Sequence, residues 1–316
     1  KMIDARQFFL GTALAAAGIG LPALASAATY PALANPFDIV LDFDSALDLD
    51  GDGTADSSKL STDFQAVFQQ AESFWETMIL GNRYDLAIKP LKISAAGASI
   101  DGSGGTLGAA GPTQLSIYSG ASQYAYATNG FMYFDTADLT RMHGEGTLFD
   151  VIVHEMAHVM GFGTLWNTTV YGGAFEDTQN VYSSAGRYTG NFGVAVYNAE
   201  FGLDASHVPV ELGGGSGTAH GHWDEADFAG GSSDIMTGYI GGAFATPNSV
   251  LGYDFGATTV SGTTIASSAD LGYITYVTDP VFAVTAAVPL PAGLGLSLIG
   301  LGGLGALRLR RRRRAT

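Results

Sequence analysis

The chain reads as an α+β domain: a twisted mixed sheet backed by helices, one of them buried, followed by a loop-rich second half. Three observations predict this. Strand-like alternation and helical spacing are interleaved through the first half of the sequence. Residues 151–163 are apolar on almost every side of a helix, the mark of a buried one. Beyond Gly163, Gly, Ser, Thr and Tyr dominate, so loops, short strands and few helices are expected there. With 316 residues the chain suffices for one large domain or two small ones, and 47% hydrophobic content can fill a core. Cysteine is absent, which excludes a disulfide framework.

The elements follow in order. Phe37–Phe43 alternates as a strand. Next, Asp48, Asp50, Asp52 and Asp56 occupy positions 1, 3, 5 and 9 of an EF-like loop with glycine at position 6. Position 12 is Lys59 in place of the usual glutamate, and no helix precedes the loop. The choice there lies between a calcium (Ca2+) site and an acidic, solvated turn. Phe64, Val67, Phe68, Ala71, Phe74, Trp75, Met78 and Ile79 recur at helical spacing, with Ser61 or Thr62 to cap the start and Gly81 to end it. Leu86–Ile93 and Gln114–Tyr118 are strand candidates separated by the Gly-rich stretch 95–111, and Phe131–Phe134 is another.

Both ends read as processing segments. Residues 1–27 have a short basic start, an apolar run and the small-residue site Ala25-Ser26-Ala27, the pattern of a secretory signal peptide. At the other end, Val288-Pro-Leu-Pro-Ala292 precedes an apolar Gly/Leu-rich run and then Arg308 and Arg310–Arg314. The run is short for a spanning helix and would just cross a thin bilayer, with its arginines on the cytoplasmic side. This order resembles the PEP-CTERM family of bacterial sorting signals over residues 288–316. The resemblance implies export by a Gram-negative cell, transient membrane anchoring through the tail, and tail removal by an exosortase-type enzyme. The expected location is the cell surface or the medium. Six of the 14 basic residues lie in that tail, leaving 8 against 30 acidic ones in the body. Such a body has no basic stripe for nucleic acid.

The chemistry centres on His154, Glu155 and His158 within 151–163. On a helix, imidazoles four residues apart share a face and reach one ion, and the intervening Glu can hold a water without being a ligand. A catalytic zinc takes three protein ligands and leaves a fourth position open. Thr164 stands where a compact H-E-x-x-H-x-x-G-x-x-H pattern would place the third histidine. His143, His207, His220, His222 and Glu176 are the other candidates, and the richest segment is 208–223, followed by Asp234–Gly238.

The set His154-Glu155-x-x-His158-x-x-Gly161, a long insertion, Gly217-Thr218-x-x-x-His222-Trp223 and Met236-Thr237-Gly238 resembles the leishmanolysin-like metallopeptidases, in their bacterial branch. Phe37–Phe43, Ser99–Pro112 and Asp270–Tyr273 extend the likeness over most of residues 37–275. The resemblance implies a metzincin-type zincin fold, with an N-terminal catalytic subdomain (28–162) ending in the zinc-binding helix. A C-terminal subdomain (163–287) would carry the third ligand. It further implies zinc (Zn2+) held by His154, His158 and His222, Glu155 as general base, and Met236 as the Met-turn residue. His220 receives no ligand role.

The expected activity is that of a secreted zinc endopeptidase acting on protein or peptide substrates. Zinc lowers the pKa of water to about 7 and polarises the scissile carbonyl, and Glu155 moves the proton. Tyr239 is a candidate oxyanion helper, and a sheet edge, from 131–134 or from 95–111, would align the substrate. The rival reading is a catalytically silent, zinc-containing surface or biofilm matrix protein. An intact Glu155 argues against it.

Overall fold

A computed structural model describes residues 36–83, 90–119, 123–166, 180–239, 248–250, 253–255 and 258–277. By its backbone contacts the chain divides into Lys1–Leu33 and Ala34–Thr316, and every described residue belongs to the second unit. The signal-peptide segment, the arginine-ended tail and Glu176 lie outside the described residues. Among the described residues no helix is long and apolar enough to cross a membrane.

The first half is a mixed sheet with helices on one face. Strand β1 (Ile39–Asp42) and the short β2 (Ser57–Ser58) flank one edge of the sheet. Helix α1 (Thr62–Met78) starts at Ser61, whose hydroxyl accepts from the Phe64 amide, and buries Phe68, Ala71, Phe74, Trp75 and Met78. Each aromatic or methionine side chain taken fully out of water there contributes roughly 1.5–3 kcal/mol. Ile79, which the spacing assigns to the end of this helix, opens β3 (Ile79–Asn82), and Gly81 lies inside that strand. The strand forms because β12 (Tyr273–Thr275), from the far end of the domain, pairs with it antiparallel. No local signal carries that partner.

β4 (Leu91–Ala98) runs parallel to β1 and to β6 (Gln123–Asp135), while β5 (Gly108–Ser119) closes the other edge antiparallel to β6. The strand expected from Leu86 is described only from Leu91. The Gly-rich stretch is also narrower than expected: 95–98 completes β4 and 108–111 begins β5. Phe131–Phe134 lies in β6, between β4 and β5, so its backbone is already paired on both sides. It cannot offer an edge to a substrate. Among the described strands the free edge on this side is that of β5, whose Pro112 is of the kind edge strands tolerate.

Asp135 and Asp138 take backbone amides of the 101–104 loop and lead into α2 (Leu139–Glu145), which packs on α3 (Leu148–Met160). All thirteen residues of α3 are buried. Gly130 of β6 lets α3 sit directly on the sheet, since a Cβ there would fall 2.3 Å from the Val159 methyl. The Trp75 indole donates to the Val153 carbonyl at 2.9 Å, tying α1 to α3.

The second half carries two helices that its sequence barely signals. β7 (Tyr182–Ser183), β8 (Arg187–Tyr188) and β9 (Val208–Pro209) form a small antiparallel sheet, with α4 (Asn191–Phe201) between β8 and β9. A hairpin of β10 (Asn248–Val250) and β11 (Tyr253–Phe255) precedes α5 (Gly262–Asp270). α5 has the polar sequence GTTIASSAD and is buried from Thr263 to Asp270. Its polarity is tolerated because partners are supplied. Glu200, at the end of α4, accepts the Gly262 and Thr263 amides at the start of α5. Asp270, at the end of α5, accepts the Phe192 and Gly193 amides at the start of α4. The two helices are antiparallel and each caps the other. One continuous core joins Phe68, Met156, Trp166, Trp223 and Met236 across both halves.

Candidate metal centre

Helix α3 places His154 and His158 one turn apart on the same face. The loop after β9 brings His222 to them. The three Nε2 atoms converge: 3.0 Å between His154 and His158, 3.0 Å between His158 and His222, and 3.1 Å between His154 and His222. All three side chains are buried.

The other ring nitrogen of each histidine faces a backbone carbonyl. His154 Nδ1 donates to Ile235 at 2.6 Å, His158 Nδ1 to Phe162 at 2.9 Å and His222 Nδ1 to Thr218 at 2.8 Å. A carbonyl only accepts, so each Nδ1 carries the proton and each Nε2 presents a lone pair. Burial holds all three imidazoles neutral. It lowers His154 well below its ordinary value, His158 to about 3, and His222 in the same direction. Three lone pairs at 3.0–3.1 Å with no hydrogen between them repel one another. A cation resolves that conflict, and the trio could hold one metal ion.

Glu155, next to His154 on the helix, is 7% exposed, and burial pushes its carboxyl up to about 8. Met236 is fully buried in the turn whose preceding carbonyl, that of Ile235, orients His154. Its own carbonyl accepts the Trp223 amide at 2.9 Å, so this turn and the His222 loop are joined directly. Tyr239 is 64% exposed, and among the described residues no hydrogen bond fixes its phenol.

His220 stays outside the trio: it is exposed, and its Nδ1 is hydrogen-bonded to the Tyr182 hydroxyl. Asp48, Asp50 and Asp52 are gathered on the surface, and their carboxylates accept the amides of Gly51, Asp52, Gly53 and Thr54 in the same loop. Asp56 accepts the Leu49 amide. At one oxygen each, three gathered carboxylates supply at most half of the six to eight oxygens that calcium takes. His143 packs on the Phe64 ring and His207 on Ser206, away from the trio.

Several contacts that build the site are encoded by no motif. Thr164 donates through its hydroxyl to the His158 carbonyl at 2.6 Å and so tightens the end of α3. Asp234, 1% exposed, accepts the Met236 and Ser261 amides and the Thr264 hydroxyl. Burial raises its carboxyl, while those donors act the other way. The Trp223 indole donates to the same Thr264 hydroxyl at 2.8 Å. The orienting carbonyls of Thr218, Phe162 and Ile235 could not be read from residue types, because every residue has one. Compared with known proteins, the chain matches no family model and no curated protein.

Proposed function

We propose that the protein is a zinc-dependent endopeptidase of the leishmanolysin-like kind, in which His154, His158 and His222 hold the ion and Glu155 is the general base. The convergence of three neutral Nε2 atoms beside a buried glutamate carries this reading. Three nitrogens at 2.0–2.1 Å from one tetrahedral zinc stand about 3.3 Å apart, close to the separations of the trio. Bound zinc supplies Lewis-acid polarisation of a carbonyl and acidifies water at neutral pH.

The chain's own residues do the rest. Glu155 accepts the proton of the attacking water as the C–O bond forms, and returns it to the amine as the C–N bond breaks. Burial raises its carboxyl to about 8, and a cation held by the trio would act in the opposite direction and favour the ionised form that a base needs. Among the described strands β5 has no partner on its outer edge, where an extended peptide would add. Tyr239 belongs to this proposal as an oxyanion helper. A silent structural site would bury Glu155 at a cost and gain nothing from it.

The test is direct. The purified chain is expected to bind one equivalent of zinc and to cleave casein or a quenched fluorescent peptide. Chelation removes the activity, and Glu155→Ala lowers kcat by about 10²–10⁴-fold with zinc still bound. One bound zinc without hydrolysis of any peptide in a library would favour the silent surface protein.

A further inference from the structure

The orientation of the trio depends on backbone, not on side chains, because all three Nδ1 protons go to carbonyls. Metal affinity is therefore governed by whatever holds the three segments that carry those carbonyls. Phe162 belongs to the turn ending α3, where its amide returns to the Ala157 carbonyl. Ile235 is in the turn gripped by Asp234. Thr218 sits in a loop with glycines at 213, 214, 215 and 217, the softest of the three supports.

Within that loop His220 has φ 70, the one non-glycine residue in the left-handed region among the described residues. An L side chain adopts such a conformation uncommonly, histidine more readily than most, and it persists where the surroundings fix it. Two features impose it here. The His220 amide donates to the Glu211 carbonyl at 2.8 Å, and the His220 ring is hydrogen-bonded to the Tyr182 hydroxyl. Tyr182 is itself rigidly placed. It is buried, packs near Trp166, and lies opposite Tyr188 in the small sheet. That sheet also contains β9, from which the loop departs. The loop is thus tied to β7 across β8 by a side-chain bond, two residues before His222.

We propose that Tyr182 and His220 act as positioning residues that clamp the third-ligand loop and so set the metal affinity of the site. This rests on the metal reading of the trio. The clamp holds His220 left-handed, which turns the chain so that Gly221 lies against the backbone of Gly163 and His222 faces His154 and His158. The contact with Gly163 leaves no slack, since a Cβ on Gly163 would lie 2.5 Å from the Gly221 oxygen.

The test uses the full chain and three readouts: zinc Kd by competition with a chromogenic chelator, the visible spectrum of the cobalt(II) form, and the melting temperature of the metal-free protein. Tyr182→Phe keeps the ring and removes the hydroxyl, and is expected to weaken zinc binding about 10-fold. His220→Ala is expected to do the same while keeping one equivalent. The double variant should be no weaker than either single one, because both remove the same bond. His220→Asn, which tolerates the left-handed region and keeps a polar side chain, should recover part of the loss. The cobalt(II) bands of Tyr182→Phe should shift, since the ligand geometry relaxes. A zinc Kd within twofold of the unsubstituted chain in Tyr182→Phe overturns the clamp, as do losses that multiply in the double variant. If the unsubstituted chain takes up neither zinc nor cobalt, the metal reading itself fails and the clamp with it.

Discussion

His154 Nδ1 lies 2.6 Å from the carbonyl oxygen of Ile235, 81 residues further along the chain. The first histidine of the buried helix is therefore oriented by a turn that lies beyond the third. Helix, loop and turn form one assembly, which is tightened again where the Trp223 amide meets the Met236 carbonyl. Perturbing any of the three should be felt at the trio.

Asp234 grips that turn. Asp234→Ala leaves two buried amides and the Thr264 hydroxyl without their acceptor. The expected cost is about 2–4 kcal/mol of folding stability, read by urea denaturation, together with weaker zinc binding. Asp234→Asn should cost less, because one acceptor oxygen survives. Stability unchanged in Asp234→Ala would refute the assignment.

Gly163 has φ +70 and its hypothetical Cβ meets Gly221. Gly163→Ala should therefore strain the backbone and push the His222 loop outward, at about 2–3 kcal/mol. Because the displaced segment carries His222, the proposed third ligand, zinc affinity should fall more steeply than stability. Calorimetric titration of the folded variant separates the two effects.

The ligand assignment separates two neighbours. His222→Ala should abolish stoichiometric zinc binding, whereas His220→Ala should keep one equivalent at reduced affinity. Metal analysis after gel filtration distinguishes them, and the reverse pattern would make His220 the ligand.

A carboxylate pair on α1 makes stability depend on pH. Burial first, then Glu76 and Asp38, raises Glu72 from 4.5 to about 7. A carboxyl with a raised folded pKa contributes stability that is fully present below about pH 4.5 and is lost as the pH rises through about 7. Glu72→Gln should flatten that decline. Because Glu72 is only half-buried, the gain at pH 8 should be a melting temperature higher by roughly 1–2 °C. A gain at pH 4.5 as large as at pH 8 would point to another cause.

Glu200 and Asp270 cap each other's helices. Glu200→Ala should cost about 1 kcal/mol, and Asp270→Ala more, since Asp270 is nearly buried and also accepts the Tyr188 hydroxyl. Thermal melts of the single and double variants measure the coupling.

Local pattern determined a good deal. The apolar run 151–160 specifies a helix that must be buried, and its spacing puts His154, Glu155 and His158 within reach of one another. Ser61 marks the start of α1, and alternation marks β1 and the cores of β5 and β6. These features are legible because their causes, a cap or a period of two or 3.6, act over a few residues. The tertiary structure alone decided the rest. Ile79 became strand because β12 lay beside it, Phe131–Phe134 became interior because β5 covered it, and the polar α5 became core because Asp234 and Glu200 supplied partners. The trio belongs to both accounts. Residue types leave His222 one of several candidates and the family resemblance selects it, but only the fold closes the 64-residue gap to His158 and turns each imidazole with a carbonyl that no motif encodes.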